Sequence, residues 1–419
     1  MIRKIIIDKK ITNLISISLF IALALFVVLY AVADITTSIQ TYHLDNPNRV
    51  LCKIALVSIN VISFIGCIFY FLKIRGSFKE YIKTSCFFII SIIGFCFCCI
   101  LSLLINERDV SAFFTTVIYF VTFLTLSSYF SFAIKDNFLD IKLFKVFGLV
   151  VFYLYVFLCV FYFFYVLGKP MSSGGLRIPV ISHVFFCCSL LPFLRQLCTS
   201  KEMAVVYLSF IPIMFLANKS SVLIITLMYV IYDFYHSDFV TSRKWLHKYF
   251  VPIIIVGLIL LIVISNIWNG SFFYDHFSFE SMILESGRLQ NWSVILESMK
   301  TFEFKNYLFG RGIGATLKIN DGIAAHNDFI EYLYDFGITG ILCLLCFLIH
   351  LILKTFKYKD VVKKHNSILV LSYVLIIMSI SSLFSNNNIL LSLSFNQQDT
   401  LFKEKRLLLN ETNYWTISI

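Results

Sequence analysis

Residues 310–340 read GRGIGATLKINDGIAAHNDFIEYLYDFGITG. Two readings of this stretch lead to two different folds. A Gly-x-Gly-x-Gly run that follows a strand and opens a helix belongs to a dinucleotide-binding α/β unit. The same run at the edge of a bilayer is a turn between membrane helices, with glycines where the backbone must bend or approach a neighbour closely. The surroundings decide between them. Residues 329–353 form a long apolar run, and no strand–helix–strand pattern flanks the glycines. The nucleotide reading is therefore set aside.

Outward from this stretch, the same kind of apolar run recurs along the chain. The protein has 419 residues, is 59% hydrophobic and 17% aromatic, and has a mean hydropathy of +0.86. Its charged fraction is 14%, against roughly 25% in soluble domains. Runs of about 20 apolar residues match the thickness of a bilayer core. Spans are expected at 11–33, 50–72, 84–105, 110–134, 146–167, 180–198, 203–217, 220–235, 249–268, 329–353 and 366–385. The expected fold class is an all-α polytopic integral membrane protein with about 11–12 transmembrane helices and one large outer loop. The first run follows MIRKIIIDKK; it is too long for a signal peptide and lacks a small-residue cleavage site. There is no fixed-period repeat and no low-complexity tract.

The net charge of +11 does not point to nucleic acid, because the cations follow membrane topology. Segments 1–10, 73–83, 135–145, 195–202, 236–248 and 354–365 hold 21 Lys and Arg in 65 residues. The alternate segments hold 10 in 94. The positive-inside rule then puts the N-terminus inside and residues 269–328 outside. Eleven spans leave a tail with Lys403, Lys405 and Arg406 outside, against the rule. Either the short run ILLSLSF (389–395) brings it back or the rule fails there. The expected organisation is a helix bundle at 1–268, the outer loop at 269–328, C-terminal helices at 329–395 and a polar tail at 396–419. The 12 cysteines lie in or beside apolar runs. Cys343 and Cys346 form a C-x-x-C without flanking ligands, so packing by thiols is the expectation, not zinc.

The residues that carry chemistry gather on the outer side. In ESGRLQNWSVILESMKTF (285–302), Leu289, Trp292, Ile295, Leu296 and Met299 fall on one face at helical spacing, which predicts an amphipathic helix at the membrane surface. Arg288 projects to the middle of that face. It either snorkels to a lipid headgroup or binds an anion. Gly310, Gly312 and Gly314 shape a turn, whose amides could also hold a phosphate oxygen. His326 stands where the loop meets the next span, as a structural donor or as a proton acceptor near neutral pH. Asn327 or Asp328 is placed to cap that helix. Arg177 in an outer loop and Lys219 at a span boundary are further cations; Lys219 serves either a site or a tight turn. No HExxH, Walker or GxSxG motif is present, and no outer-loop carboxylates show metal-binding spacing. Arg177, Lys219, Arg288 and His326 thus suit a phosphate-bearing substrate held without metal or nucleotide.

These motifs resemble the O-antigen polymerase / O-antigen ligase superfamily of bacterial surface-polysaccharide enzymes. SGRLQNW (286–292), LFGRGIG (308–314) and AHNDFIEYLYDFGITG (325–340) match its loop pattern in order and spacing, and GGLRIPVISH (174–183) looks like its upstream Arg motif. The similarity is specific over about 170–345. NKSS (218–221) departs from the family's S-R-g, so Lys219 would supply charge without arginine's fork. The resemblance implies a fold like GT-C membrane glycosyltransferases, with no cofactor, acting in the bacterial inner membrane with its site facing the periplasm. It implies undecaprenyl-pyrophosphate-linked oligosaccharide as donor and acceptor. Arg288, Arg177 and Lys219 would neutralise the leaving pyrophosphate, and His326 would orient or deprotonate the acceptor hydroxyl, with Asn327 in support. Bilayer lipids are expected around it; a chain-length regulator and a flippase of the same pathway are candidate partners. The compact HNDFIEYLYDFGITG favours polymerase over ligase. A transporter of the same lipid-linked sugar is the alternative of another class, disfavoured because no internal repeat is visible.

Overall fold

The computed structural model describes residues 2–36, 47–73, 81–83, 85–105, 110–135, 141–167, 181–217, 220–235, 249, 288–320, 325, 327–357 and 361–380. Among them the regular elements are helices, as expected. The first eight are α1 (Ile2–Thr36), α2 (Pro47–Lys73), α3 (Cys86–Ile105), α4 (Val110–Lys135), α5 (Ile141–Leu167), α6 (Ile181–Leu197), α7 (Ser200–Ala217) and α8 (Ser220–Tyr235). Three shorter ones follow: α9 (Arg288–Met299), α10 (Phe304–Phe309) and α11 (Ala315–Ile319). The last two are α12 (Asp328–Lys357) and α13 (Val361–Ile380). A helix closes its own backbone hydrogen bonds, which apolar surroundings require.

Six helices among the described residues are long and apolar enough to cross a membrane. Their apolar stretches are Lys10–Tyr30, Val50–Leu72, Cys86–Leu104, Phe113–Ala133, Lys142–Phe161 and Asp328–Lys357. They coincide with six of the expected spans. Helices α6, α7, α8 and α13 fall on four more of the expected spans. The expected span at 249–268 and the tail from 396 lie outside the described residues. Large apolar residues such as Leu14, Leu25, Leu104, Val150 and Phe157 are exposed on the helices' outer faces. Such surfaces suit hydrocarbon, and the chain is a membrane-embedded helical protein.

The helices pack in two groups. In one, α1 packs on α2, α2 on α4, and α3 lies between α4 and α12. In the other, α5, α6 and α7 pack together and α8 joins them, while α13 touches α6 and α8. The contacts of α1 with α5 and of α12 with α13 join the groups.

Lipid is as apolar as the side chains, so close fit and polar pairing hold such a bundle together. Gly66 lets the Tyr129 ring approach; a β-carbon there would lie 2.4 Å from it. The Tyr129 hydroxyl bonds Ser16 at 2.7 Å, tying α4 to α1. Asn60 Nδ2 donates to Thr122 Oγ1 at 2.6 Å, and Ser63 Oγ to Thr125 Oγ1 at 2.9 Å, tying α2 to α4. In the second group, Arg195 of α6 pairs with Asp233 of α8, and Tyr207 of α7 donates to the same carboxylate at 2.6 Å. All 12 cysteines are free thiols, most of them buried or half-buried in the packing.

Candidate functional site

The site region is a small cap of α9, α10 and α11 seated on the first part of α12 and the end of α3. It has its own core: Ile295, Phe302, Ala325 and Tyr334 are buried together, with Trp292, Met299, Ala315, Ile319 and Ile330 packed around them. This sharpens the expected amphipathic helix. The face of α9 carrying Trp292, Ile295 and Met299 is covered by the protein itself. Leu289 and Leu296 remain 40% and 50% exposed, so only part of the stripe is left for a membrane surface.

The glycines work in pairs across the cap. Helix α10 ends at Gly310 with φ 75°, and α12 breaks at Gly337 with φ 65°. Glycine adopts such angles without steric cost. The two residues also lie backbone against backbone. A β-carbon on Gly310 would lie 2.2 Å from the carbonyl oxygen of Asp335, and one on Gly337 would lie 2.7 Å from the amide nitrogen of Gly310. The break at Gly337 interrupts the ladder of α12, whose regular pattern would bring amides 338 and 339 to carbonyls 334 and 335. The amides of Arg311 and Gly312 donate to those two carbonyls, both at 2.9 Å.

The loop's remaining amides are also taken. Gly310 donates to Asn306 O at 2.8 Å and Ala315 to Gly312 O at 3.1 Å. Ile313 donates to Ser102 Oγ of α3 at 2.9 Å. Gly314 and Thr316 donate to the two oxygens of the Asp335 carboxylate, each at 2.9 Å. The expectation that this turn holds a phosphate oxygen is therefore corrected: a buried carboxylate of the same chain fills the role an anion would have taken. Gly310, Gly312 and Gly314 all have positive φ, at 75°, 112° and 70°.

Two motifs distant in sequence meet here. Trp292 Nε1 donates to Ala325 O at 2.7 Å. Trp292 lies one helical turn after Arg288, the first residue of α9, and Ala325 immediately precedes His326. The bond thus ties the Arg288 segment to the His326 segment. On the other side of His326, Asn327 Oδ1 accepts from the amides of Phe329 and Ile330 at 3.0 and 3.2 Å. Of the two expected caps, Asn327 is the one that binds the free amides of the helix start. His326, Arg177 and Lys219 lie outside the described residues, as does the side chain of Arg288.

Sequence reasoning missed Asp335. Its signal was an acid inside an apolar run, costly unless it has a partner; its partners, Gly314 and Thr316, lie about 20 residues upstream. It also passed over Arg311, whose guanidinium donates to Thr301 Oγ1 at 3.2 Å and sits 5.2 Å from the centre of the Phe302 ring. Among the described residues no three His, Cys, Asp or Glu side chains are grouped to hold a metal ion. No protein-family model matches the sequence, and no curated protein matches it.

Proposed function

We propose that the protein is a membrane glycosyltransferase of the O-antigen polymerase kind. It joins oligosaccharide repeat units carried on undecaprenyl pyrophosphate at the outer face of the bacterial cytoplasmic membrane. On this reading the chain crosses the membrane 11 or 12 times, in the manner of GT-C enzymes, and 269–328 is its periplasmic loop. The observation that carries the reading is the bond from Trp292 to Ala325. It draws together the two motifs, SGRLQNW and AHN, that hold the proposed reacting groups. The clasp of Gly310 on Gly337 brings the third motif to the same cap.

The chemistry is an exchange at an anomeric carbon. The bond from that carbon to the pyrophosphate oxygen breaks, and a bond to the acceptor hydroxyl oxygen forms. His326 takes the hydroxyl proton, and undecaprenyl pyrophosphate leaves with the bonding electrons. Arg288, Arg177 and Lys219 offset the charge that develops on the leaving group. The pyrophosphate bond supplies the driving force where no ATP is present.

The test is deletion of the gene followed by electrophoresis of surface glycolipid, with variants restored on a plasmid. Loss of a polymerase leaves lipid A-core bearing a single repeat unit. Loss of a ligase would leave bare core with long chains on the carrier lipid, and loss of a transporter would trap single units inside. His326→Ala and Arg288→Ala should each lower chain extension by about 10²–10⁴-fold, the usual contribution of a proton acceptor or a transition-state donor. Normal long chains in both variants would remove the site assignment.

A further inference from the structure

The cap carries a second feature that the proposed reaction does not use. A cleft of about 480 Å³ opens beside the glycine turn, between α10, α11 and the bend at 300–303. Its size is within the range of sites for small ligands. Among the described residues, Arg311, Lys305 and Lys318 line it, with Glu303 as the one carboxylate. The described lining thus carries more cations than anions. It also holds the polar residues Asn306 and Thr301.

Arg311 is held by its neighbours. One guanidinium nitrogen donates to Thr301 Oγ1 at 3.2 Å, and the group lies over the Phe302 ring. The same nitrogen reaches Thr301 O at 3.5 Å. These contacts hold the plane of the group, and its other two nitrogens have no hydrogen-bond partner among the described residues. A pre-set guanidinium fork suits a carboxylate or phosphate. Lys305 is the adjustable member, 60% exposed and paired with Glu303 at 3.0 Å. Glu303 therefore competes with any incoming anion for Lys305.

We propose that this cleft is a subsite for an anionic oligosaccharide, binding a carboxylate or phosphate carried on a sugar through Arg311, with Lys305 and Lys318 adding to the attraction. The inference rests on the polymerase reading for the glycan itself; the cationic cleft stands independently of it. All the lining residues but Tyr334, which comes from the first turns of α12, belong to the cap, which suits a sugar chain reaching out from the bilayer. The pyrophosphate of a carrier lipid presents the same oxyanion chemistry, and the test separates the two.

The full-length protein in detergent micelles is titrated with tetragalacturonate, neutral maltotetraose and inorganic pyrophosphate, and binding is followed calorimetrically. Tetragalacturonate should bind, with affinity falling as salt rises. Arg311→Gln should weaken it about five- to tenfold, as expected for one charge-assisted contact open to solvent. Lys305→Gln should weaken it less. Glu303→Gln should tighten it about two- to threefold by removing the competing charge, a gain that misfolding does not produce. Equal binding of the neutral and acidic sugars overturns the proposal, as do unchanged affinities in Arg311→Gln and Glu303→Gln. Arg311-dependent binding of pyrophosphate without binding of tetragalacturonate also overturns it. Because the readout is binding without turnover, long chains still made by the deletion strain would retire the polymerase reading and leave the cleft assignment standing.

Discussion

Asp335 serves two elements at once. Its backbone carbonyl receives the amide of Gly312, and its carboxylate receives those of Gly314 and Thr316. The side chain is buried, so these donors have no easy recourse to water. Asp335→Asn keeps the shape but offers one acceptor oxygen to two donors and sets an NH₂ against one of them. The expected loss is about 1–3 kcal/mol, the cost of a buried donor left unmade. Thermal unfolding of the purified protein reads it, together with faster proteolysis within 310–320; an unchanged midpoint and cleavage pattern would mean that solvent reaches these amides. Asp335 was illegible in the sequence because its partners are remote and belong to the backbone, which carries no residue identity. Asn327 was legible because capping is local: an Asn beside the first turn of an apolar helix has few other uses. Arg288 was singled out by helical spacing and His326 by its place where the loop meets a span; their roles belong to the proposed function.

At the scale of elements, the long helices followed from run length and composition, since a bilayer imposes both. The break in α12 did not. YDFGITG sits in an apolar run and reads as helix throughout, while the cause of the break is a loop that packs against Gly337 from outside. Two glycine substitutions compare an open turn with the clasped one. Gly314 has φ 70° with nothing nearer than 4.0 Å to an added β-carbon, so Gly314→Ala carries only the left-handed backbone cost of about 1–2 kcal/mol. Gly337, at φ 65° and ψ −156°, lies in a region essentially restricted to glycine, so Gly337→Ala carries a larger backbone cost, and it also drives a β-carbon to 2.6 Å from the backbone of Tyr307 and Leu308, which cannot rotate away. Gly337→Ala should therefore lower the thermal midpoint well beyond Gly314→Ala; equal effects would mean that the loop gives way freely. Helix α9 shows a different limit. Periodicity located its apolar stripe, but one stripe can face two neighbours, and only the packing of Ile295 and Trp292 shows how much of it the protein covers.

Across the whole molecule, the two helix groups are held by means matched to their content. The first uses hydroxyl and amide pairs among α1, α2 and α4, each contributing on the order of 0.6 kcal/mol in a bilayer. The second relies on a charge pair, Arg195 with Asp233, whose side chains are 20% and 17% exposed. Among the described residues, Arg195→Met leaves Asp233 with only the Tyr207 hydroxyl to offset its charge in an apolar setting. A loss of about 3–5 kcal/mol is expected. Lys145→Met, at a pair with Glu202 that is 26% and 39% exposed, should cost less than about 1 kcal/mol because water screens it. Detergent-solubilised protein heated under the same conditions compares the two, and similar midpoints would remove the distinction. Positive-inside counting spoke to orientation but not to this grouping, because loop charges say nothing about which helices touch.

The clasp between Gly310 and Gly337 has a geometric outcome of its own. Residue 337 divides α12 into a short first arm, which carries the Ala325–Asn327 junction at its head, and the long apolar arm that follows. The cap bonds to carbonyls 334 and 335, just before that division, so it has little freedom to slide along the helix. On the proposed reading, the donor sugar is tethered by its lipid at a set distance from the bilayer. The clasp then works as a depth gauge: the reacting groups meet the sugar at the height where the lipid presents it, whatever the length of chain already attached.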